Sequence, residues 1–272
     1  MIGTIKSATL VLFFWCIGLV ILIQAPAAFA DANLLDDANA FAEANAFSED
    51  GKKPLLVLTN FVPPYAMSND RGRVTGMDVE LVRAWLDASE IDYTMSMTSW
   101  SAAYEQTLDR DNVLLFPLDR VREREDDFTW LNRLRAQQYY IYSRREPVFD
   151  QLTRDAMLKQ NWKVACAQQS VQCRFLTRMG LPDSRILSGP SMAIPRRMQM
   201  LKAGDIDLTI FDDAVFGFLQ AQDDRLTDQL SRRFHVGETH SWIAGGGSLD
   251  PALLARLRAT PWPGVGGESR SD

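Results

Sequence analysis

Residues 113–130 read VLLFPLDRVREREDDFTW. The opening VLLFP is short and apolar enough to be a strand buried on both faces. It ends in Pro117, and Arg120, Arg122 and Arg124 follow at once, with Glu123 among them and Glu125, Asp126 and Asp127 behind. Arginines just past a strand end can grip a carboxylate through paired hydrogen bonds. The same letters also describe a solvated charge run on a helix, and spacing alone leaves both readings open.

The segments before this stretch alternate. Residues 54–58 (PLLVL) form a short apolar strand closed by a Pro63-Pro64 turn. From Asp78 onward, Val79, Leu81, Val82, Trp85 and Leu86 recur at helical spacing. Residues 93–97 read as a strand and 100–108 as a helix. Strand, helix, strand, helix, strand implies a parallel sheet with right-handed crossovers.

Beyond it, residues 138–143 (QYYIYS) are a strand, and the alternation then restarts. Helices are expected near 151–159, 170–179, 192–203 and 213–222, with strands at 162–165, 185–187 and 208–211. A strand at 239–243 and a helix at 251–259 close the pattern. Two α/β units in series predict two lobes joined by a hinge near 142–146. The expected division is 54–142 plus 235–262 for the first lobe and 143–234 for the second, with a disordered tail at 263–272. Pockets in such folds lie where the C-terminal ends of strands meet.

The N-terminus sets the expected compartment. Lys6 precedes an uncharged apolar run, ATLVLFFWCIGLVILI, and then Pro26 and Ala28-Phe29-Ala30. This is the layout of a secretory signal peptide cleaved after Ala30, with an uncleaved anchor as the alternative. Cys16 lacks the small neighbours that a lipidation site wants. Residues 31–53, rich in Ala, Asn and Asp, read as a tether. The composition is globular, with 46% hydrophobic and 24% charged residues. The formal charge is −6, and loss of Lys6 makes it one unit more negative. An acidic chain is a poor partner for nucleic acid. Of the cysteines, Cys166 and Cys173 remain after cleavage. If Cys173 lies one turn into a helix that Cys166 precedes, a bridge fits, and two buried thiols are the other reading. His235 and His240 have no ligand partners at a useful spacing, so neither a metal nor a cofactor is expected. Neither a Gly-x-Ser-x-Gly elbow nor a phosphate loop occurs in the sequence.

Several motifs, in order, resemble family 3 extracellular solute-binding proteins, the amino-acid receptors of ABC importers. Arg120, Arg124, Glu125, Phe128 and Trp130 are similar to that family's Arg-x-x-x-Arg-Glu-x-x-Phe-x-Trp segment. Residues 59–65 (TNFVPPY), 76–81 (GMDVEL), Trp100 with Tyr104 and Leu108, and 201–207 (LKAGDID) followed by Asp212-Asp213 resemble its other motifs. The likeness spans about residues 54–245. It implies a periplasmic, two-lobed type II binding-protein fold, each lobe a mostly parallel sheet flanked by helices. It also implies a monomer that hands a small amino-acid-like ligand to a membrane permease. By resemblance, Arg124 holds the ligand carboxylate and Asp212 its ammonium group. Gln169 and Ser170 add donors at a helix start, and Trp100, Phe61 and Tyr65 flank the guest. A zwitterion clamped in this way has both charges paired on burial.

The chain departs from the pattern at Val62, Ala102 and Asp119. An acid at Asp119 would repel a carboxylate unless Arg120 or Arg124 neutralises it, which points to a guest with added positive charge shared by Asp119 and Asp212. A sensor domain with an altered pocket, or an enzyme of the same fold using Asp119 or Glu123 as a general acid, are the other readings.

Overall fold

The computed structural model describes residues 54–223, 225 and 229–264. The expected signal peptide, its Cys16, the tether at 31–53 and all but the first two residues of the expected tail lie outside the described residues.

Two apolar strands start the fold. Strand β1 (Leu55–Thr59) and strand β5 (Val113–Asp119) are buried at every position. Their side chains point alternately to opposite faces. Leu55 and Val57 meet Val79, Val82, Trp85 and Leu86 of helix α1 (Met77–Ala88) on one side. Leu56 and Leu58 meet Ala103 and Tyr104 of helix α2 (Trp100–Asp109) on the other. Burial on both faces explains why these strands read as continuous apolar runs rather than as alternating ones. Between them lie a small hairpin, β2 (Met67–Ser68) with β3 (Val74–Thr75), and strand β4 (Tyr93–Met97).

Strand β6 (Thr129–Arg144) follows, and then a second unit repeats the first. It comprises helix α3 (Arg154–Lys159), strand β7 (Val164–Ala167), helix α4 (Val171–Arg178) and strand β8 (Ile186–Gly189). Helix α5 (Ile194–Ala203), strand β9 (Leu208–Asp212) and helix α6 (Asp213–Gln222) complete it. Val164, Cys166, Leu208 and Ile210 face Met157 of α3 and Leu176 of α4. Ala165 and Phe211 face Ile194, Met198 and Leu201 of α5. Strand β10 (Leu230–Gly245) and helix α7 (Pro251–Ala259) end the described chain.

The strand order is β4-β1-β5-β10-β6-β9-β7-β8. At each end lies a parallel trio with the first strand in its centre, β4-β1-β5 and β8-β7-β9. The trios are joined by β6 and β10, which run antiparallel to each other for almost their whole length. β10 pairs with β5 through Ser241–Gly245, and β6 pairs with β9 through Tyr139–Ser143. The strands expected at 138–143 and 239–243 are therefore portions of two 16-residue strands that pass from one half to the other. Their remaining residues mix polar side chains with apolar ones at irregular spacing, so no regular apolar period betrays them. Among the described residues, no helix is long and apolar enough to cross a membrane.

Candidate functional site

The C-terminal ends of both trios open onto one cavity of about 110 Å³, against the ~10–15 Å³ that a single water needs. The first half contributes Phe61 and its neighbours after β1, Thr98–Ser101 at the entry to α2, and Asp119 at the end of β5. The second half contributes Gln168, Ser170 and Gln172 around the start of α4, and the loop from Gly189 into α5, ending at Arg197. Gln137 and Tyr139 of β6 line it from the joining strands.

Asp119 is the buried carboxylate of this cavity. Gln137 Nε2 donates to it at 3.0 Å and the Tyr139 hydroxyl at 3.1 Å, and Thr239 Oγ1 donates a further bond. Burial nonetheless pushes its carboxyl above the usual carboxylate range, because three neutral donors do not replace the water it has lost.

Arg197 is the buried cation. Its Nη1 donates to Ile210 O at 2.7 Å, Gln172 Oε1 at 2.9 Å and Thr209 Oγ1 at 3.3 Å. Its guanidinium lies 4.6 Å from the Phe211 ring centre. Nε is buried without a hydrogen-bond partner among the described residues. Burial lowers the guanidinium to about 9, with Tyr139 pulling the other way. Sequence reasoning missed this residue. The available signal was its position: 194, 197, 198 and 201 share one helical face, and the other three residues on it are Ile, Met and Leu.

Of the residues singled out from sequence, Trp100, Phe61, Asp119 and Ser170 line the cavity. Ser170 caps α4, accepting from Cys173 N at 3.4 Å. Cys166 and Cys173 are disulfide-bonded, with Cα atoms 5.4 Å apart, so the bridge closes the turn that carries Gln168, Gln169 and Ser170. Gln169, Arg124, Arg120, Tyr65 and Asp212 are not among the cavity's lining residues.

Arg124 lies buried beside it, under the rings of Trp100 and Tyr104 at 5.5 and 5.1 Å. It donates to the backbone oxygens of Asp119 at 3.0 Å and Gln169 at 2.6 Å, which ties the first half to the second. Next to it, Glu123 pairs with Arg178 of α4, a second contact between the halves. Arg120 turns outward, pairs with Glu125, and lies 4.7 Å from the Trp242 ring centre and 5.4 Å from that of Trp130.

Asp212 and Tyr65 belong to a different cluster. Arg135 of β6 pairs with Asp78 and sits 3.1 Å from the centre of the Tyr65 ring. Asp212 caps α6 by accepting from Ala214 N at 3.3 Å, and its Oδ2 has no hydrogen-bond partner among the described residues. Burial raises its carboxyl to about 6, although Arg135 pulls the other way. The position of Gly76 is fixed here too. Its φ of 134° suits glycine, and a Cβ there would run into the Tyr65 carbonyl.

Comparison with protein families and with curated proteins finds no match. Solved structures do match. The chain is similar to holo ArgBP from T. maritima, with a TM-score of 0.64 and 15% identity over 75% of this chain and 87% of that one. It is similar to a histidine kinase sensor domain that resembles periplasmic binding proteins, with a TM-score of 0.65 and 19% identity over 78% and 90%. It is also similar to the GluR0 ligand-binding core from Nostoc punctiforme in complex with L-glutamate, with a TM-score of 0.59 and 20% identity over 76% and 90%. At these identities the likeness establishes the fold: the chain has the two-lobed periplasmic-binding-protein architecture, with its cavity between the halves.

Proposed function

We propose that the protein is an extracytoplasmic receptor that closes its two halves on one small amino-acid-like solute. The observation that carries this reading is the shared cavity, whose walls come from the strand ends of both halves and hold a buried carboxylate, Asp119. That carboxylate is poised for a cationic group, whose arrival would offset the cost of its burial. Trp100 and Phe61 flank the guest, and Ser170 offers it a hydroxyl. In this reading Arg124 is the closing strut: by tying Asp119 to Gln169 it holds the halves together over whatever lies between them. A ligand that touches both halves favours the closed arrangement by as much as it binds that arrangement more tightly.

In this reading residues 1–30 act as a signal peptide and the chain works in the periplasm, as a monomer that delivers its ligand to an ABC permease. A second use, reporting occupancy as a sensor, is favoured by the likeness to a histidine kinase sensor domain. Binding rather than catalysis fits either use, and Glu123, one of the two acids considered for an enzyme, lies in a surface ion pair.

A thermal-shift panel tests the reading. The probes are the L-amino acids, their decarboxylated amines and their deaminated acids. A true guest at about one hundred times its Kd adds about 2.7 kcal/mol of stability. If no amino acid or amine in the panel raises Tm, the receptor reading fails.

A further inference from the structure

Three arginines of the second half can be compared directly. Arg185 donates to the carbonyls of Met157, Leu158 and Gln160 at the end of α3. Arg144 donates to Leu201 O at the end of α5 and to Ile206 O beyond it, and pairs with Glu146. Both sit where the negative end of a helix wants a cation, so their role is structural. Arg197 differs. It lines the cavity, and among the described residues no carboxylate pairs with it. Its Nε has no partner, and its Nη2 makes no hydrogen bond among the described residues. A buried cation left in this way is costly, and an anion that supplies the missing acceptors offsets that cost.

The start of α5 points to the same ligand. Its N-cap residue, Ala193, has no side chain able to accept from the first turn, and both Ala193 and Ile194 line the cavity. An uncapped helix start presents N–H groups and a partial positive charge to an anion. Ser170 at the start of α4 faces the same space.

We propose that Arg197 and the start of α5 form the seat for the ligand's anionic group. This deepens the receptor reading and rests on it for the guest's other end. The substrate class becomes a compact molecule with a carboxylate, or a similar small anion, directed into the second half and a cationic group directed at Asp119 in the first. That orientation is the reverse of the one implied by the likeness of Arg124 and Asp212 to family motifs.

The test uses acetate, the smallest carboxylate, on the whole chain, with equal chloride as the control. In protein carrying nitrogen-labelled arginine, one Nε–H signal is absent from Arg197→Lys, and this identifies Arg197. Acetate is expected to move that signal in the wild type, and to raise Tm. Arg197→Met should weaken the acetate response about tenfold or more, while Glu123→Gln, in an exposed ion pair outside the cavity lining, leaves it in place. An Arg197 signal that ignores acetate overturns the proposal even if Arg197→Met does not fold, because that reading needs only the wild type and the lysine variant. Movement of the Arg124 signal instead, identified by Arg124→Lys, also overturns it. The two readings fail separately. An amino acid that binds equally well to wild type and Arg197→Met keeps the receptor and removes the seat. Acetate binding at Arg197 with no amino-acid or amine ligand keeps the seat and removes the receptor.

Discussion

The two halves are built from one plan, and equivalent positions in them do different work. Asp119 ends β5 and Asp212 ends β9, each the third strand of its trio and each beside the joining strands. Asp119 has three side-chain donors and faces the cavity. Asp212 has backbone donors only, an oxygen without a hydrogen-bond partner among the described residues, and a place outside the lining. The helix after the second strand differs as well. In the first half, Ser99 caps α2 and Trp100 opens it. In the second, α5 opens without a cap and carries Arg197. A shared topology thus offers opposite charges to one guest, and strand order alone does not say which half offers which.

The halves also fix their first loops by different means, and breaking each gives the largest effects on stability. In the first half, Met77 N and Asp78 N donate to Pro64 O and Tyr65 O, and the approach depends on Gly76. Gly76→Ala should lower stability by about 3 kcal/mol or more, read by chemical denaturation, because it adds both backbone strain and a collision with the Tyr65 carbonyl. In the second half, the disulfide holds the loop. The paired change Cys166→Ser with Cys173→Ser should cost about 2 kcal/mol, less than longer bridged loops because the loop is short. Equal costs for unbridged and reduced protein would confirm that the bond itself, not the side-chain volume, is responsible.

The two aspartates separate next. Asp212→Asn keeps a good helix cap and removes a charge that burial disfavours. Because the native carboxyl holds its proton more tightly than the unfolded chain does, its contribution is full below about pH 4 and is lost as pH rises through about 6. Asp212→Asn should therefore raise stability at neutral pH by roughly 1–2 kcal/mol and leave it unchanged at pH below about 4. A variant that loses stability at neutral pH would show that Asp212 depends on its charge after all. The smallest effect belongs to the surface. Glu123→Gln removes an exposed pair with Arg178 and should change stability by less than ~0.5 kcal/mol, with less still in high salt.

Much of the fold was legible because burial writes itself into composition. β1, β5 and β9 are buried at every position, and α6 and α7 begin and end where helical spacing placed them. The first halves of β6 and β10 were not legible. They pair with each other along their length, and their apolar residues, Leu131 and Leu134 in one and Leu230, Phe234 and Val236 in the other, fall at irregular spacing and pack against different cores. The candidate site was legible in part. Asp119, Trp100, Phe61 and Ser170 stood out as a departure, aromatics and a donor at a helix start, and they line the cavity. Arg197 looked like one more basic residue beside Arg196, and only folding places it over Phe211 with its Nε unmatched among the described residues.

The central claim is that Asp119 and Arg197, one from each half, hold the two ends of a single guest. It is tested most directly by calorimetric titration of the best amino acid from the panel, with its decarboxylated amine and its deaminated acid, into wild type, Asp119→Asn and Arg197→Met. The account predicts that the amino acid weakens about tenfold or more in both variants. The amine should weaken only in Asp119→Asn and the acid only in Arg197→Met. An amine that depends on Arg197, or an acid that depends on Asp119, would contradict it.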